Sequence, residues 1–153
     1  MGIFNAFNIN ASGMTAQRYR MDIISENVAN VNTTRTADGT PYRRKIVTFE
    51  QMPNRGGGSF RHILDGCQRS CRSTFAGQGV RVTKVHYDHK AEMVMAYDPS
   101  HPDADENGYV TYPNVNIVTE MTNLIDASRA YEANATAFNA SKAIALKGLE
   151  MAQ

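Results

Sequence analysis

Apolar side chains recur at a spacing of seven near both ends of the chain, with alternating short runs between. Phe7, Met14, Met21 and Val28 form the first repeat, and Gln17, Ile24 and Val31 follow three residues behind. This is an a/d seam with one polar member, and it predicts a helix from about Phe4 to Val31. Asn32-Thr33-Thr34 and then Asp38-Gly39-Thr40-Pro41 supply the turn chemistry that ends it. Near the other end Ile117, Leu124, Tyr131, Phe138, Ala145 and Ala152 repeat at seven. Met121, Ser128, Ala135, Lys142 and Leu149 stand four residues after the first five of these. A second helix is therefore expected from about Asn114 to Ala152, with Pro113 fixing its entry and Asn114 and Asn116 as candidate caps.

At 1.5 Å per residue that second helix is roughly 50 Å long, against roughly 30 Å across a small domain. A compact fold of 153 residues cannot bury it along its whole length. Ala127, Ala130, Ala133, Ala137 and Ala140 add a lane of small side chains that lets another helix approach closely. Burial of apolar surface is worth about 25 cal/mol per Å². A seam of this length is not left in water, and the pattern predicts association. The bland reading, an ordinary helical hairpin core, accounts for the face of the first helix but not for the excess on the second.

Between the helices, Ile46–Phe49, Val80–Val85, Met93–Tyr97 and Tyr109–Tyr112 are short runs of β-formers. Gly56-Gly57-Gly58 to Gly77-Gln78-Gly79 bounds a long loop, about 54–78, of the kind that is functional or flexible. The expected architecture is mainly α with a small β insert. Long terminal helices, within 1–33 and 113–153, pair as a coiled coil, and 34–112 forms a small β and loop region.

Charge sharpens this picture. Sixteen Lys and Arg face fifteen Asp and Glu, which gives no reason to expect nucleic acid or an acidic membrane surface. Residues 1–90 hold 13 basic and 6 acidic side chains, a net of +7, and residues 91–153 hold 3 and 9, a net of −6. Halves of opposite sign attract, within one molecule or between neighbours. No apolar run approaches a membrane span, and the start Met1-Gly2-Ile3-Phe4-Asn5 lacks the basic and apolar regions of a secretory signal.

Candidate chemistry is thin. Cys67-x₃-Cys71 with His86 and His89 has the ligand types of a zinc set but an unusual spacing, and two unpaired thiols are preferred to a metal site or a disulfide. Asp103, Asp105 and Glu106 form an acidic cluster after His101-Pro102, best read as a solvated turn. Tyr42-Arg43-Arg44-Lys45 lacks the aromatic interleaving of a nucleic-acid patch and is expected to face an acidic neighbour. Gly56-Gly57-Gly58 lacks the Lys-Ser/Thr of a phosphate loop. No catalytic residues, cofactor or metal are assigned, and the chain is not expected to be an enzyme.

Two segments carry a resemblance. Ser25-Glu26-Asn27-Val28-Ala29-Asn30-Val31-Asn32-Thr33 resembles the signature closing the N-terminal helix of flagellar axial proteins, and Arg129-Ala130-Tyr131-Glu132-Ala133-Asn134 resembles that of their C-terminal helix. Glu26 departs from the first signature, which more often has Asn there. Pro41-Tyr42-Arg43-Arg44-Lys45, Tyr97-Asp98-Pro99-Ser100-His101-Pro102-Asp103-Ala104, and Gly108-Tyr109-Val110 followed by Pro113-Asn114-Val115-Asn116 are similar to the proximal rod proteins within that family. The 54–78 loop matches none of its motifs.

The resemblance implies a structural subunit of the flagellar basal body, in the periplasmic rod, exported unfolded through the flagellar type III apparatus. Its implied partners are copies of itself, other proximal rod proteins, the protein joining the rod to the MS ring, and the distal rod protein. With the seams, it assigns subunit packing to Phe7, Met14, Met21, Ile24, Val28 and Asn30 on the first helix. On the second it assigns Ile117, Met121, Leu124, Arg129, Tyr131, Asn134 and Phe138. The alternative expectation is a soluble coiled-coil adaptor or chaperone-like binding module.

Overall fold

A computed structural model of the chain describes residues 3–52 and 78–151. Helix α1 spans Ile3–Ala29. Strands β1 (Lys45–Gln51) and β2 (Val80–Tyr87) form one antiparallel pair, and β3 (Val94–Tyr97) and β4 (Tyr109–Tyr112) form another. Helix α2 spans Ile117–Glu150. The chain is thus two long helices with a small two-sheet β region between them. The long loop and its two cysteines fall almost wholly outside the described residues.

The helix ends follow from local chemistry. Asn116 caps α2, its side-chain oxygen accepting from the amides of Val118 at 3.0 Å and Thr119 at 3.3 Å. Asn114, the other candidate, turns away and ties two strand ends instead. Glu120 in the first turn and Lys147 in the last both suit the helix dipole. At the end of α1, Asn30 donates to the Glu26 carbonyl at 2.9 Å and accepts from the Thr33 hydroxyl at 3.2 Å. That pair of bonds is the physical content of the Asn-x-x-Thr spacing.

The helices run antiparallel. Phe7 meets Phe138 edge to face with ring centroids 5.0 Å apart, Gly13 lies against Asn134, and Asn27 reaches Glu120. A Cβ at Gly13 would lie 3.0 Å from the Asn134 amide, so a larger residue there would require that side chain to shift. Leu124 and Phe138 of the expected seam are half-buried, but the second inner row of α2 is not the Met121 row read from hydropathy. Glu120 is 1% exposed and Ala127 0%, with Asn134 and Ser141 partly covered on the same row, whereas Met121 is 55% exposed. The row lies one residue earlier than expected because its members are polar or small, and apolar periodicity skips them.

β1 and β2 lie against α1, with a register shift between Thr48 and Phe49. A staple fixes their open end. The Ser12 hydroxyl accepts from the Val80 amide at 3.1 Å, and the Met52 amide donates to the Gly79 carbonyl at 2.9 Å. Gly79 has φ +98 and a Cβ there would lie 2.1 Å from Ser12 Oγ, so glycine is required twice over. Among the described residues the apolar core is small: Ala16, Ile24, Tyr42, Val110 and Ala127. So few buried apolar side chains put unusual weight on polar contacts.

Candidate functional site

Among the described residues the best-built cluster is a polar clasp where the two helices meet the β region. Asn27, 1% exposed, uses its whole amide. Its nitrogen donates to the Lys45 carbonyl at 2.9 Å and to Glu120 Oε2 at 3.1 Å, and its oxygen accepts from the Lys45 amide and the Tyr42 hydroxyl, both at 2.9 Å. Arg44 donates to Glu120 Oε1 from Nε at 2.9 Å and Nη2 at 2.6 Å. Lys45 pairs with Glu26, which explains the departure from the signature: a carboxylate in place of an amide gains a cation. Asn114 accepts from the Arg44 amide at 2.9 Å and donates to the Asp88 carbonyl at 3.0 Å, so the chain entering α2 is tied to the same strand ends.

The basic run therefore faces acidic neighbours largely within its own chain. Arg44 serves Glu120 and lies 3.7 Å from Asp88, Lys45 serves Glu26, and only Arg43 turns outward, to His89 Nδ1 at 3.0 Å. A buried carboxylate is tolerable only when paired and hydrogen-bonded. Glu120 is both.

Two electrostatic consequences follow. Asp88 is held below the usual carboxylate range by the backbone amides of Lys90 and Ala91, with Arg44 assisting. Burial, then the charges of Glu26, Tyr87 and Glu120, push the Tyr42 phenol up to about 12. Its folded value thus exceeds the unfolded one of about 10. Stability from this group is complete below pH 10 and is lost as pH rises to 12. Unfolding free energies measured across that window should fall by about 2 kcal/mol more in the wild type than in Tyr42→Phe. Equal slopes would mean that the phenol is not held neutral.

The residues assigned to packing divide between the two faces. Phe7, Met14, Met21, Val28, Leu124, Asn134 and Phe138 are half-buried in the helix pair, and Ile24 is buried. Asn30 closes the end of α1. Ile117, Met121, Arg129 and Tyr131 are exposed. Around Ile117 and Met121 lie Val118, 74% exposed, and Ile125, 55% exposed. At the far end of α2, beyond the start of α1, Ile144, Leu146, Leu149 and Met151 are exposed as well. Contiguous apolar surface of this kind marks interaction sites on soluble proteins.

His86 and His89 stand at the end of β2 and just beyond it, and no cluster of metal-ligand type occurs among the described residues. Cys67 and Cys71 lie outside them. Asp103 accepts from the Thr34 hydroxyl at 2.8 Å and lies 3.8 Å from Arg35, so part of the acidic turn is structural. Sequence reasoning missed Glu120, and it read Asn27 and Arg44 only as members of motifs. No local pattern in the sequence marks the three as one cluster.

Comparison with known proteins agrees with this architecture. Residues 7–35 match the family described as "Flagella basal body rod protein", and residues 106–151 match "Flagellar basal body rod FlgEFG protein C-terminal". The chain is 45% identical to the flagellar basal-body rod protein FlgC of Borreliella burgdorferi, an alignment covering 100% of this chain and 99% of that protein. It is 43% identical to that of Bacillus subtilis over 99% of both chains, and 36% identical to that of Escherichia coli over 100% of both. Full-length identity at this level, with the matched segments falling on α1 and on β4 and α2, places the chain in the FlgC family of flagellar basal-body rod proteins.

Proposed function

We propose that the protein works by assembly, as a structural subunit of the flagellar basal-body rod rather than as an enzyme. The observation that carries this is full-length relationship to FlgC proteins. It is supported by apolar side chains on α2 that the described chain leaves uncovered. In this reading the subunit stands in the proximal rod and packs against copies of itself and other proximal rod proteins. It links the MS-ring junction to the distal rod, transmits torque, and reaches the periplasm unfolded through the type III export apparatus. The seam residues facing α1 hold the helix pair, and Ile117, Val118, Met121 and Ile125 face a neighbouring subunit.

Met121→Asp separates the two roles. The side chain is exposed in the single chain, so a surface substitution should change its stability by less than about 0.5 kcal/mol. In the rod the carboxylate is buried without a partner, at a cost that prevents incorporation. Cells carrying the variant should be non-motile, and their basal bodies should lack the protein. Normal swimming with normal incorporation would defeat the assignment of that face. Leu124→Asp also prevents incorporation but damages the helix pair itself, so it is the less selective test.

A further inference from the structure

We propose that the cleft beside the first sheet receives the tip of the β3–β4 hairpin of a second copy of this chain, a contact that rests on the rod-subunit reading. The cleft, of about 500 Å³, is walled by Tyr42, Tyr87 and Met93 and carries Arg43, Lys45 and His89. Lys45 is committed to Glu26, its ammonium 5.9 Å and 6.0 Å from the Tyr42 and Tyr87 ring centroids. Arg43 contacts His89 and has no carboxylate within ion-pair distance among the described residues. Asp38 is the one lining carboxylate. The uncommitted charges lining the cleft are therefore the Arg43 guanidinium and the Asp38 carboxylate, with aromatic and thioether walls around them.

The hairpin tip is its chemical complement. Tyr97 and Tyr109 are 67% and 46% exposed and meet edge to face at 5.3 Å. Gly108 makes this possible, since a Cβ there would lie 2.9 Å from the Tyr97 ring. Beside the rings, Asp105 and Glu106 are exposed and have no cation within ion-pair distance among the described residues. Asp98 and Asp103 differ, being tied to Ser100 and to Thr34. Two rings and two free carboxylates fit the apolar walls and the Arg43 end of the cleft, away from Asp38, by local charge and by the preference of buried interfaces for tyrosine and arginine.

Within one molecule the acidic turn is anchored elsewhere. Asp103, Ala104 and Asp105 line a second pocket with Thr34, Arg35 and Gly39, whereas the cleft is lined by Thr36, Ala37 and Asp38 of the same turn. A second copy satisfies both surfaces. Because cleft and tip are different surfaces, the contact is heterologous and propagates instead of closing a pair.

The test uses cells expressing the chain with Cys67→Ser and Cys71→Ser. Ala37→Cys in the cleft together with Glu106→Cys at the tip should give, on oxidation, a ladder of multiples of the chain mass that either single cysteine lacks. Arg43→Glu should block incorporation into basal bodies, and adding Asp105→Arg with Glu106→Arg should restore it. The proposal is overturned by absence of the ladder, by a product with a chain of another size, by normal incorporation of Arg43→Glu, or by failure of the charge swap to restore it. Absence of the wild-type chain from basal bodies would defeat the rod reading separately, and cross-linking in whole cells would still report on this contact.

Discussion

Replacing Arg44 by Met is expected to lower the stability of the folded chain by about 3–5 kcal/mol, the usual result of stripping one partner from a buried ion pair. Glu120 is 1% exposed, and Arg44 supplies both bonds to its Oε1. Without the guanidinium a carboxylate stays in the interior with only the Asn27 amide as donor, at 3.1 Å. The midpoint of urea unfolding of the purified protein measures the loss. A paired variant, Arg44→Met with Glu120→Met, should recover most of it, since apolar replacement of a whole buried pair is often neutral. A single-variant loss under about 1 kcal/mol would mean that water already reaches Glu120 and that the clasp does not organise this end of the molecule.

Asn27→Ala should cost about 3 kcal/mol by a different route. Four hydrogen bonds disappear with one side chain: the buried Tyr42 hydroxyl and Glu120 Oε2 each lose a partner, and the partly buried Lys45 backbone loses two. Because both substitutions act on Glu120, their combined effect should fall short of the sum by about 0.5–3 kcal/mol. Strict additivity would show that the two arms of the clasp are independent. Amide exchange should localise the damage, with β1 and β2 losing protection while the Phe7–Phe138 end of the helix pair keeps it.

The helices and strands were legible in the sequence for a plain reason. The helix seam repeats with the period of the element that buries it, as Phe7 to Val28 do, and the strands stand out as short runs of β-formers such as Tyr109 to Tyr112. The clasp was not legible by that rule, because hydropathy assigns Glu120 to solvent and its neighbour Met121 to the core, and the fold reverses both. What reverses them is Arg44, 76 residues away in sequence, and no local pattern carries that information. The family signatures filled part of the gap. They pointed at Asn27, Asn30 and Asn134, and the structure supplies the reasons: a fully used amide, a helix end, and a side chain lying over Gly13.

The staple at Ser12 and Gly79 bears on how the chain tolerates changes in length. One backbone bond, from the Met52 amide to the Gly79 carbonyl, closes the base of everything between, and Ser12 ties that base to α1. The Met52–Gly79 and Ser12–Val80 bonds lie outside the stretch between them, as do the residues of the clasp. A short epitope placed between Met52 and Gly79 should therefore leave the staple intact, because both of its bonds are made by residues at or beyond that stretch's ends.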